Sequence, residues 1–394
     1  MANQRNHSKE KIYSIMKRKI LLSFLLSIAT LAGTWADGGK DDTRLTKNIT
    51  KSFAVNSDAE VNIINKYGKV IVNAWDKDSV KISVDIIAYG KNDDAVDKLI
   101  KKVEIDFTHS ADYLSAETEM NKKGGSFGSL LSNIEGYSKS ILNNNKLTIN
   151  YTVRVPAEAV LDLENKFGNI FLGDSFKDAD IELTNGDLKA RELLGRSSIR
   201  ISFGKGKIRH MKGGFIKLKG GEIEVEEGVA IKVESSSSEL TFGDVKSLSI
   251  NSRNDKIRAT TLQQLSGTGD FTDIFVTSVN EELDLNLEYG ELFVEKVGED
   301  FNNITLNSKS ADINLVLSPK SYFDANISGN EDRMIVPNNM LSLGKKGNSG
   351  TDYDFTLSGS VGYTRDHIGK VTIKAVSADV IISIKETSVF TKKN

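Results

Sequence analysis

The sequence contains no cysteine, and this absence removes several kinds of chemistry at once. Disulfide bonds, cysteine-ligated metal centres and thiol catalysis are excluded, and so is a bacterial lipid anchor, which needs a cysteine after the signal sequence. Proline is also scarce, with 3 residues against 32 glycines. This imbalance predicts many tight backbone positions and few rigid linkers.

Histidine is nearly as scarce, and its distribution argues against a zinc site. No two of the four residues lie close together in the sequence, and no HExxH motif occurs. His210, in "GKIRHM", is the one that the strand pattern places inward, as a partly buried core residue. The phosphate-binding motif GxxxxGK[ST] is also missing, so we assign no catalytic, cofactor-binding or metal-ligating residue. The four histidines are His7, His109, His210 and His367.

Only one apolar run approaches the length of a membrane segment, and it lies near the N-terminus. The stretch "MKRKILLSFLLSIATLAGTWA" (16–36) has a basic start, a short apolar centre and small residues at its end, which is typical of a signal peptide. We expect residues 1–36 to direct export through the Sec pathway, with Met16 as a possible start, and we expect no transmembrane helix. Their removal moves the formal net charge from −2 to −7, which argues against nucleic acid as a partner.

From Ala159 onward, apolar and polar residues alternate with a period of two, which is typical of β-strands. The strands come in pairs joined by a tight turn, as in "DIELTN" followed by "GDLKAREL", and the pairs recur about every 18 residues. This self-similarity predicts a β-solenoid of two-strand rungs that stack to bury a shared core, and a long antiparallel meander is the competing interpretation. The predicted inward residues are Leu183, Ile201, Leu218, Val233, Ile250, Leu285 and Leu306 on the first strands, and Ile170, Leu188, Ile223, Leu240, Ile274, Leu292 and Ile313 on the second.

One phrase of the sequence occurs twice. "NKYGKVIV", which starts at Asn65, returns nearly unchanged as "NKFGNIFL" at Asn165. We interpret the phrase as a rung corner followed by a strand, and therefore as scaffold and not as a binding motif. A glycine lies at the predicted corner of several rungs, where a positive φ angle would favour it. These glycines are Gly168, Gly186, Gly221 and Gly290.

The patterns divide the chain into six segments. Between the two copies of the phrase, "NDDAVDKLIKKVEI" predicts an amphipathic helix with Asn92 or Asp93 as its N-cap. A later stretch rich in Gly, Ser, Asn and Lys predicts a flexible insertion. We expect a signal peptide (1–36), a leader (37–52), N-terminal strands with a capping helix (53–118), the insertion (119–147), solenoid repeats (148–320), and a Gly-rich loop with closing strands (321–394).

Two phrases of the chain resemble a known family. "GKVIVNAWDKDSVKISV" and "VRVPAEAVLDLENKFGNIFL", with the train of "GD-I" units that follows, resemble the adhesin-like family of exported bacterial proteins of unknown function, which is related to the auto-transporter adhesin head domains called GIN. The likeness covers residues 53–385. It implies a single-stranded right-handed parallel β-helix and a periplasmic or cell-surface location in a Gram-negative bacterium. The missing cysteine departs from family members that carry a lipid anchor.

The residue before the first apolar position of each rung is often acidic. In a stacked solenoid these residues would form one edge column, in which carboxylates about 5 Å apart repel unless a cation or a lysine lies between them. Ca²⁺ binding at this edge is one hypothesis, and ordinary solvated turn chemistry is the other. Lys207 and Lys256 interrupt the column. Its acidic members are Asp187, Glu222, Glu239, Asp273, Glu291 and Asp312.

Two functions fit these patterns. The first is an exported, non-enzymatic binding or structural module whose partner is an envelope protein or a glycan, bound through polar faces, the insertion, or exposed aromatics such as Trp75 and Tyr289. The alternative is a carbohydrate-active β-helix enzyme, a polysaccharide lyase or hydrolase, whose acids would be Asp255 and Asp273. The short turns between rungs leave little room for a catalytic cleft, so the sequence favours the binding module.

Overall fold

The computed structural model of the protein describes one unit of almost pure β-structure that begins at Thr43. It holds one α-helix, α1 (Asp93–Ile100), and no helix in the described part of the chain has the length and apolar character needed to span a bilayer. The structure describes residues 43–120, 147–340, 343–347, 353–362 and 368–385. The predicted signal peptide and nearly all of the predicted insertion lie outside these ranges.

The strands belong to one large sheet. Among the described residues, the 3-10 turn Glu331–Arg333 interrupts them near the C-terminal end. In chain order the strands are β1 (Thr43–Ala54), β2 (Glu60–Lys66), β3 (Val70–Trp75), β4 (Ser79–Gly90), β5 (Val103–His109), β6 (Tyr113–Met120), β7 (Leu147–Pro156), β8 (Val160–Lys166), β9 (Ile170–Phe176), β10 (Ala179–Thr184), β11 (Asp187–Ser202), β12 (Lys205–Lys219), β13 (Glu222–Ser236), β14 (Glu239–Arg253), β15 (Lys256–Val294), β16 (Asn303–Leu317), β17 (Phe323–Gly329), β18 (Met334–Ile335), β19 (Gly344–Gly347), β20 (Phe355–Val361), β21 (Gly369–Val376) and β22 (Val380–Ile384).

Parallel pairing stacks the middle of the chain in register. β12, β13 and β14 each pair in parallel with the strand that follows. Lys205 lies opposite Glu222, Glu222 opposite Glu239, and Glu239 opposite Lys256, so partners are 17 residues apart. Each of these strands, together with the short corner that follows it, forms one rung.

The stacked rungs bury a continuous apolar core. All 14 of the aliphatic residues predicted to point inward are buried, with exposures of 0–3%. Along β13 the burial alternates with the sequence, so that Ile223, Val225, Ile231 and Val233 face the core. Removing one such side chain from water stabilises the fold by about 1.5–3 kcal/mol. The period-two pattern is therefore what holds the rungs together.

Antiparallel strands lie at both ends of this stack. β4 pairs with β1 and β7, and β5 with β6, while β20 pairs with β17 and β19. The predicted all-β class is confirmed, but the sheet is mixed, and a right-handed parallel β-helix stays a prediction. Antiparallel pairs occur at the ends of the stack because a terminal rung has no further rung with which to pair in parallel. A hairpin partner satisfies its remaining N–H and C=O groups.

The N-terminal strand differs from the predicted organisation. Residues 37–52 are predicted as a leader, yet Thr43–Ala54 forms β1 and pairs with β4 along its whole length. Most side chains of β1 are exposed, so its sequence lacks the alternation that marks a strand with one buried face. The helix is where the sequence predicts it. The Asn92 side chain accepts a hydrogen bond from the Ala95 N–H at 2.9 Å, which makes Asn92 the N-cap.

The two copies of the repeated phrase lie on adjacent rungs. β2 pairs in parallel with β8, and β3 with β9, so Asn65 lies opposite Asn165. Both asparagines are buried. The Asn65 side-chain amide donates to the Ile149 carbonyl at 3.1 Å, and that of Asn165 donates to the Gly68 carbonyl at 2.9 Å. The phrase is therefore scaffold, as predicted, and its repetition lets one copy stack on the other.

The corner glycines are needed for a different reason from the predicted one. A positive φ belongs to the preceding residue in most rungs, and of the four predicted glycines only Gly290 has one, at 101°. The others lie against the backbone of the neighbouring rung. A Cβ atom on Gly168 would lie 1.9 Å from the Gly68 carbonyl oxygen, and one on Gly186 would lie 2.0 Å from that of Gly168. Close approach of two main chains, and not left-handed geometry, selects glycine here.

Gly186→Ala should therefore lower the free energy of unfolding by about 2 kcal/mol or more, because two rungs must separate to admit the methyl group. Gly347→Ala is the matched control, since a Cβ atom there would meet nothing within 4 Å. Urea unfolding followed by circular dichroism compares the two variants. Equal midpoints for both would show that close approach at the corner does not limit the stacking.

Candidate functional site

One residue in each rung corner adopts the left-handed conformation. These residues follow one another from rung to rung, because each main-chain N–H donates to a carbonyl next to the equivalent residue of the next rung, as Phe203 does to Lys219 at 2.9 Å. Their φ angles lie between 51° and 66°. We name this series the corner column. It consists of Tyr67, Phe167, Asn185, Phe203, Gly220, Ser237, Asn254, Phe271, Tyr289, Ser310 and Ser377.

Several positions of the corner column carry aromatic residues, although the left-handed backbone there favours glycine and asparagine. Glycine and asparagine tolerate left-handed φ, whereas other residues there lose about 1–2 kcal/mol. Exposing the rings to water brings a second cost. Phe203 is 59% exposed, Phe271 52% and Tyr289 40%. Strained and exposed apolar side chains in one line indicate a functional surface, because stability alone would replace them with asparagine or glycine.

Two pairs of these rings stack on each other. The ring centroids of Tyr67 and Phe167 are 5.7 Å apart, and those of Phe271 and Tyr289 are 4.6 Å apart. Phe203 differs, since its neighbours in the column are Asn185 and Gly220 and it stacks on no other ring of the described chain. Its outer face is therefore available to a ligand.

Between Phe203 and Phe271 the corner column carries only small or polar side chains. A groove of about 610 Å³ results, which we name the corner groove. The two rings are four rungs apart, or about 19 Å at the usual strand spacing. The intervening members of the column are Gly220, Ser237 and Asn254.

The wall of the corner groove is the predicted edge column. Strand pairing places Asp187 opposite Lys205, followed by Glu222, Glu239 and Lys256. Lys207 does not belong to it, because Lys207 lies opposite Glu224. The sequence-based register was wrong in this rung because Gly206 holds the inward position that Ile208 was expected to fill. The column continues through Asp273, Glu291 and Asp312.

Charges in the edge column are only partly compensated. The Lys205 ammonium lies 2.8 Å from the Glu222 carboxylate, which stabilises both. Glu291 has no such partner beside it. Partial burial, and then the neighbouring carboxylates of Asp273 and Asp312, raise the pKa of Glu291 above its ordinary value. Nowhere in the described part of the chain do three or more His, Asp or Glu side chains come together in a group that could hold a metal ion, and Ca²⁺ binding at the edge column stays a hypothesis.

Asp255, one of the two acids of the predicted enzyme alternative, is a structural residue. It is 3% exposed. Its carboxylate accepts hydrogen bonds from the hydroxyls of Ser235 and Ser252, both at 2.6 Å, and from the N–H groups of Ser238 and Arg253 at 2.7 and 3.1 Å. Oδ2 accepts three of these bonds and Oδ1 accepts one, so the buried carboxylate is bound to the scaffold and is not presented to a substrate. The arrangement does not support an acid pair with Asp273.

Two other residues singled out in the sequence have ordinary structural roles. His210 is not inward, because Ile208 and Met211 take the buried positions, and its side chain lies outside with its Nδ1 3.5 Å from Glu227. The Trp75 indole N–H donates to the Ser79 carbonyl at 2.7 Å, which fixes the ring against its own turn. The corner column, of which the sequence analysis named only Tyr289, is the stronger candidate.

Comparison with known proteins gives distant likenesses. No family model matches the chain, and no curated protein matches it significantly. Among solved structures, a putative adhesin from Parabacteroides distasonis is 12% identical, covers 68% of this chain and 97% of its own, and has a TM-score of 0.36. A putative adhesin from Bacteroides fragilis is 14% identical, with coverage of 86% and 97% and a TM-score of 0.25. A putative lipid binding protein from Parabacteroides distasonis is 11% identical, with coverage of 86% and 97% and a TM-score of 0.28.

These identities and TM-scores are too low to transfer an activity to this chain. The relation to GIN domains stays a prediction, since no family model matches.

The structural role of Asp255 predicts that Asp255→Ala will lower the free energy of unfolding by about 3 kcal/mol, because buried hydroxyl and N–H donors lose a charged acceptor. Asp273→Ala, in the neighbouring rung, should change it by less than about 0.5 kcal/mol. Urea unfolding measures both. A stable Asp255→Ala variant would contradict the structural assignment.

The raised pKa of Glu291 has a consequence for the pH dependence of stability. The folded state holds its proton more tightly than the unfolded state, so Glu291 lowers stability as the pH rises above about 4.5. Glu291→Gln should increase the free energy of unfolding by about 0.5 kcal/mol at pH 7 and leave it unchanged near pH 4. Glu222→Gln, which removes a paired acid, should give no increase at pH 7. Equal effects of the two variants would contradict the repulsion.

Proposed function

We propose that the protein is an exported, non-catalytic binding module of the cell envelope, and that the corner column is its binding surface. The observation that carries the proposal is the line of exposed aromatic rings held at left-handed backbone positions. Phe203, Phe271 and Tyr289 are the most exposed of these rings. Aromatic side chains with few rotatable bonds are the residues that most often supply binding energy at recognition surfaces.

The rigidity of the scaffold supports this role. Every corner is fixed by main-chain hydrogen bonds to its neighbours, such as those from Ser237 to Arg253 at 3.0 Å and from Asn254 to Asp270 at 2.8 Å. A ligand therefore meets side chains that are already in place, and binding does not have to order a loop. A site on stacked strands also repeats along one direction, which suits an extended ligand.

A catalytic role has less support. Asp255 is buried and accepts four hydrogen bonds from the scaffold, so it does not serve as the second acid beside Asp273 that the predicted glycoside cleavage requires. The signal-like stretch at 16–36 supports export, and the periplasm and the cell surface of a Gram-negative bacterium are the two proposed locations.

A glycan array probed with the purified full chain tests the proposal, beside a product assay on acidic polysaccharides. We expect binding without turnover, and a loss of at least tenfold in signal when Phe271 and Tyr289 are both changed to serine. Leu194→Ser is the matched control, because Leu194 is 42% exposed but lies outside the corner column. Turnover of any polysaccharide, or array binding that survives the double substitution, would contradict the proposal.

A further inference from the structure

We propose that the corner groove binds a linear, uncharged polysaccharide that lies along the corner column from Phe203 to Phe271. This inference rests on the proposed function, and it adds the chemical class of the ligand and its footprint. It follows from the side chains and charges that line the groove, and from the main-chain N–H groups that are already hydrogen-bonded there.

The main-chain N–H groups on both sides of the groove are already used, so they cannot donate to an added β-strand. On the column side, the N–H groups of Phe203, Gly220, Ser237 and Asn254 donate to carbonyls of the next rung at 2.8–3.0 Å. On the wall side, the N–H groups of the edge column donate to carbonyls of the preceding rung at 2.9–3.2 Å. These donors are Lys205, Glu222, Glu239, Lys256 and Asp273. A peptide that binds by strand addition needs free main-chain groups, so side chains alone must recognise the ligand.

The side chains in the groove combine flat apolar surface with hydroxyl-binding groups. Phe203 and Phe271 supply the two rings. Between them, the Ser237 hydroxyl and the Asn254 amide lie 3.2 Å apart, and the carboxylates of Glu222 and Glu239 line the same wall. A pyranose ring has an apolar face of C–H bonds that packs on the face of an aromatic ring, and equatorial hydroxyls that donate to carboxylates and amides. Few other extended molecules present both features at every unit.

The charge of the wall selects against acidic polymers. Of its two lysines, Lys205 is already paired with Glu222, whose carboxylate oxygens lie 2.8 and 2.9 Å away. Glu239 lies 3.9 Å from the Arg258 guanidinium and opposite Lys256, whereas Asp273 forms no ion pair among the described residues and leaves negative charge at this end of the groove. Beyond Asp273 the edge column continues with more acids. A uronic acid polymer would bring its carboxylates against this wall, and like charges at such distances repel.

The spacing of the rings sets the length of ligand required. Phe203 and Phe271 are about 19 Å apart, and the small residues between them leave the path along the groove open. A disaccharide can contact one ring only. A chain of about six sugars can contact both at once, and the second contact then forms without a new loss of translational freedom.

Isothermal titration calorimetry of the full chain with cellohexaose, cellobiose and polygalacturonate tests this inference. We expect cellohexaose to bind at least tenfold more tightly than cellobiose, and polygalacturonate not to bind. Phe203→Ala and Phe271→Ala should each weaken cellohexaose binding at least tenfold. Leu194→Ala is the control, because Leu194 is 42% exposed but belongs neither to the corner column nor to the groove.

Any one of four results would overturn the inference. They are absence of cellohexaose binding, equal affinity for cellobiose and cellohexaose, tighter binding of polygalacturonate, and cellohexaose binding that both phenylalanine variants retain. If the inference is wrong, the proposed function can still be correct. It remains supported if the chain binds an array ligand of another class and the Phe271, Tyr289 double variant loses that binding. It is wrong as well if the double variant loses binding to no ligand.

Discussion

The close approach of main chains at the rung corner is the constraint on which the rest of the structure depends. Gly68, Gly168, Gly186 and Gly204 lie one above another, and each leaves room only for the carbonyl of its neighbour. This contact fixes the register of the rungs that carry glycine at this position. The inward residues then stack on inward residues, and the corner residues form a column. When Ser238, Asp255 and Thr272 replace glycine in later rungs, their side chains turn into the structure and are buried.

The same constraint explains how a surface can be both strained and rigid. The residue before each close contact must take a left-handed φ to turn the chain, whatever its side chain is. The backbone hydrogen bonds between rungs hold it there. An aromatic ring placed at such a position projects from the corner without support from a loop. The edge column runs beside it, so apolar faces and charged groups lie in parallel lines along one side of the stack.

The sequence predicted those features of the fold that depend on the burial of apolar side chains. Period-two alternation predicted the buried residues, and the repeated phrase predicted two equivalent rungs. Both depend on burial, which acts locally and strongly. The alternation did not predict β1, because most side chains of that strand are exposed. The predicted register was wrong in the rung of Gly206, because this glycine takes the inward position there. The corner column was largely missed because Phe203 and Phe271 are 68 residues apart, and only the stacking brings them to one groove. Asp255 looked catalytic in sequence because burial cannot be seen there.

The most direct test of this account measures a distance along the corner column. The chain has no cysteine, so Phe167→Cys and Phe271→Cys together give two unique sites for spin labels. Six rungs of parallel stacking place these positions about 29 Å apart. Double electron–electron resonance on the full chain should therefore give one narrow distribution near that distance. A broad distribution, or a distance far from it, would show that the corners do not form a single column, and the binding surface built on them would not exist.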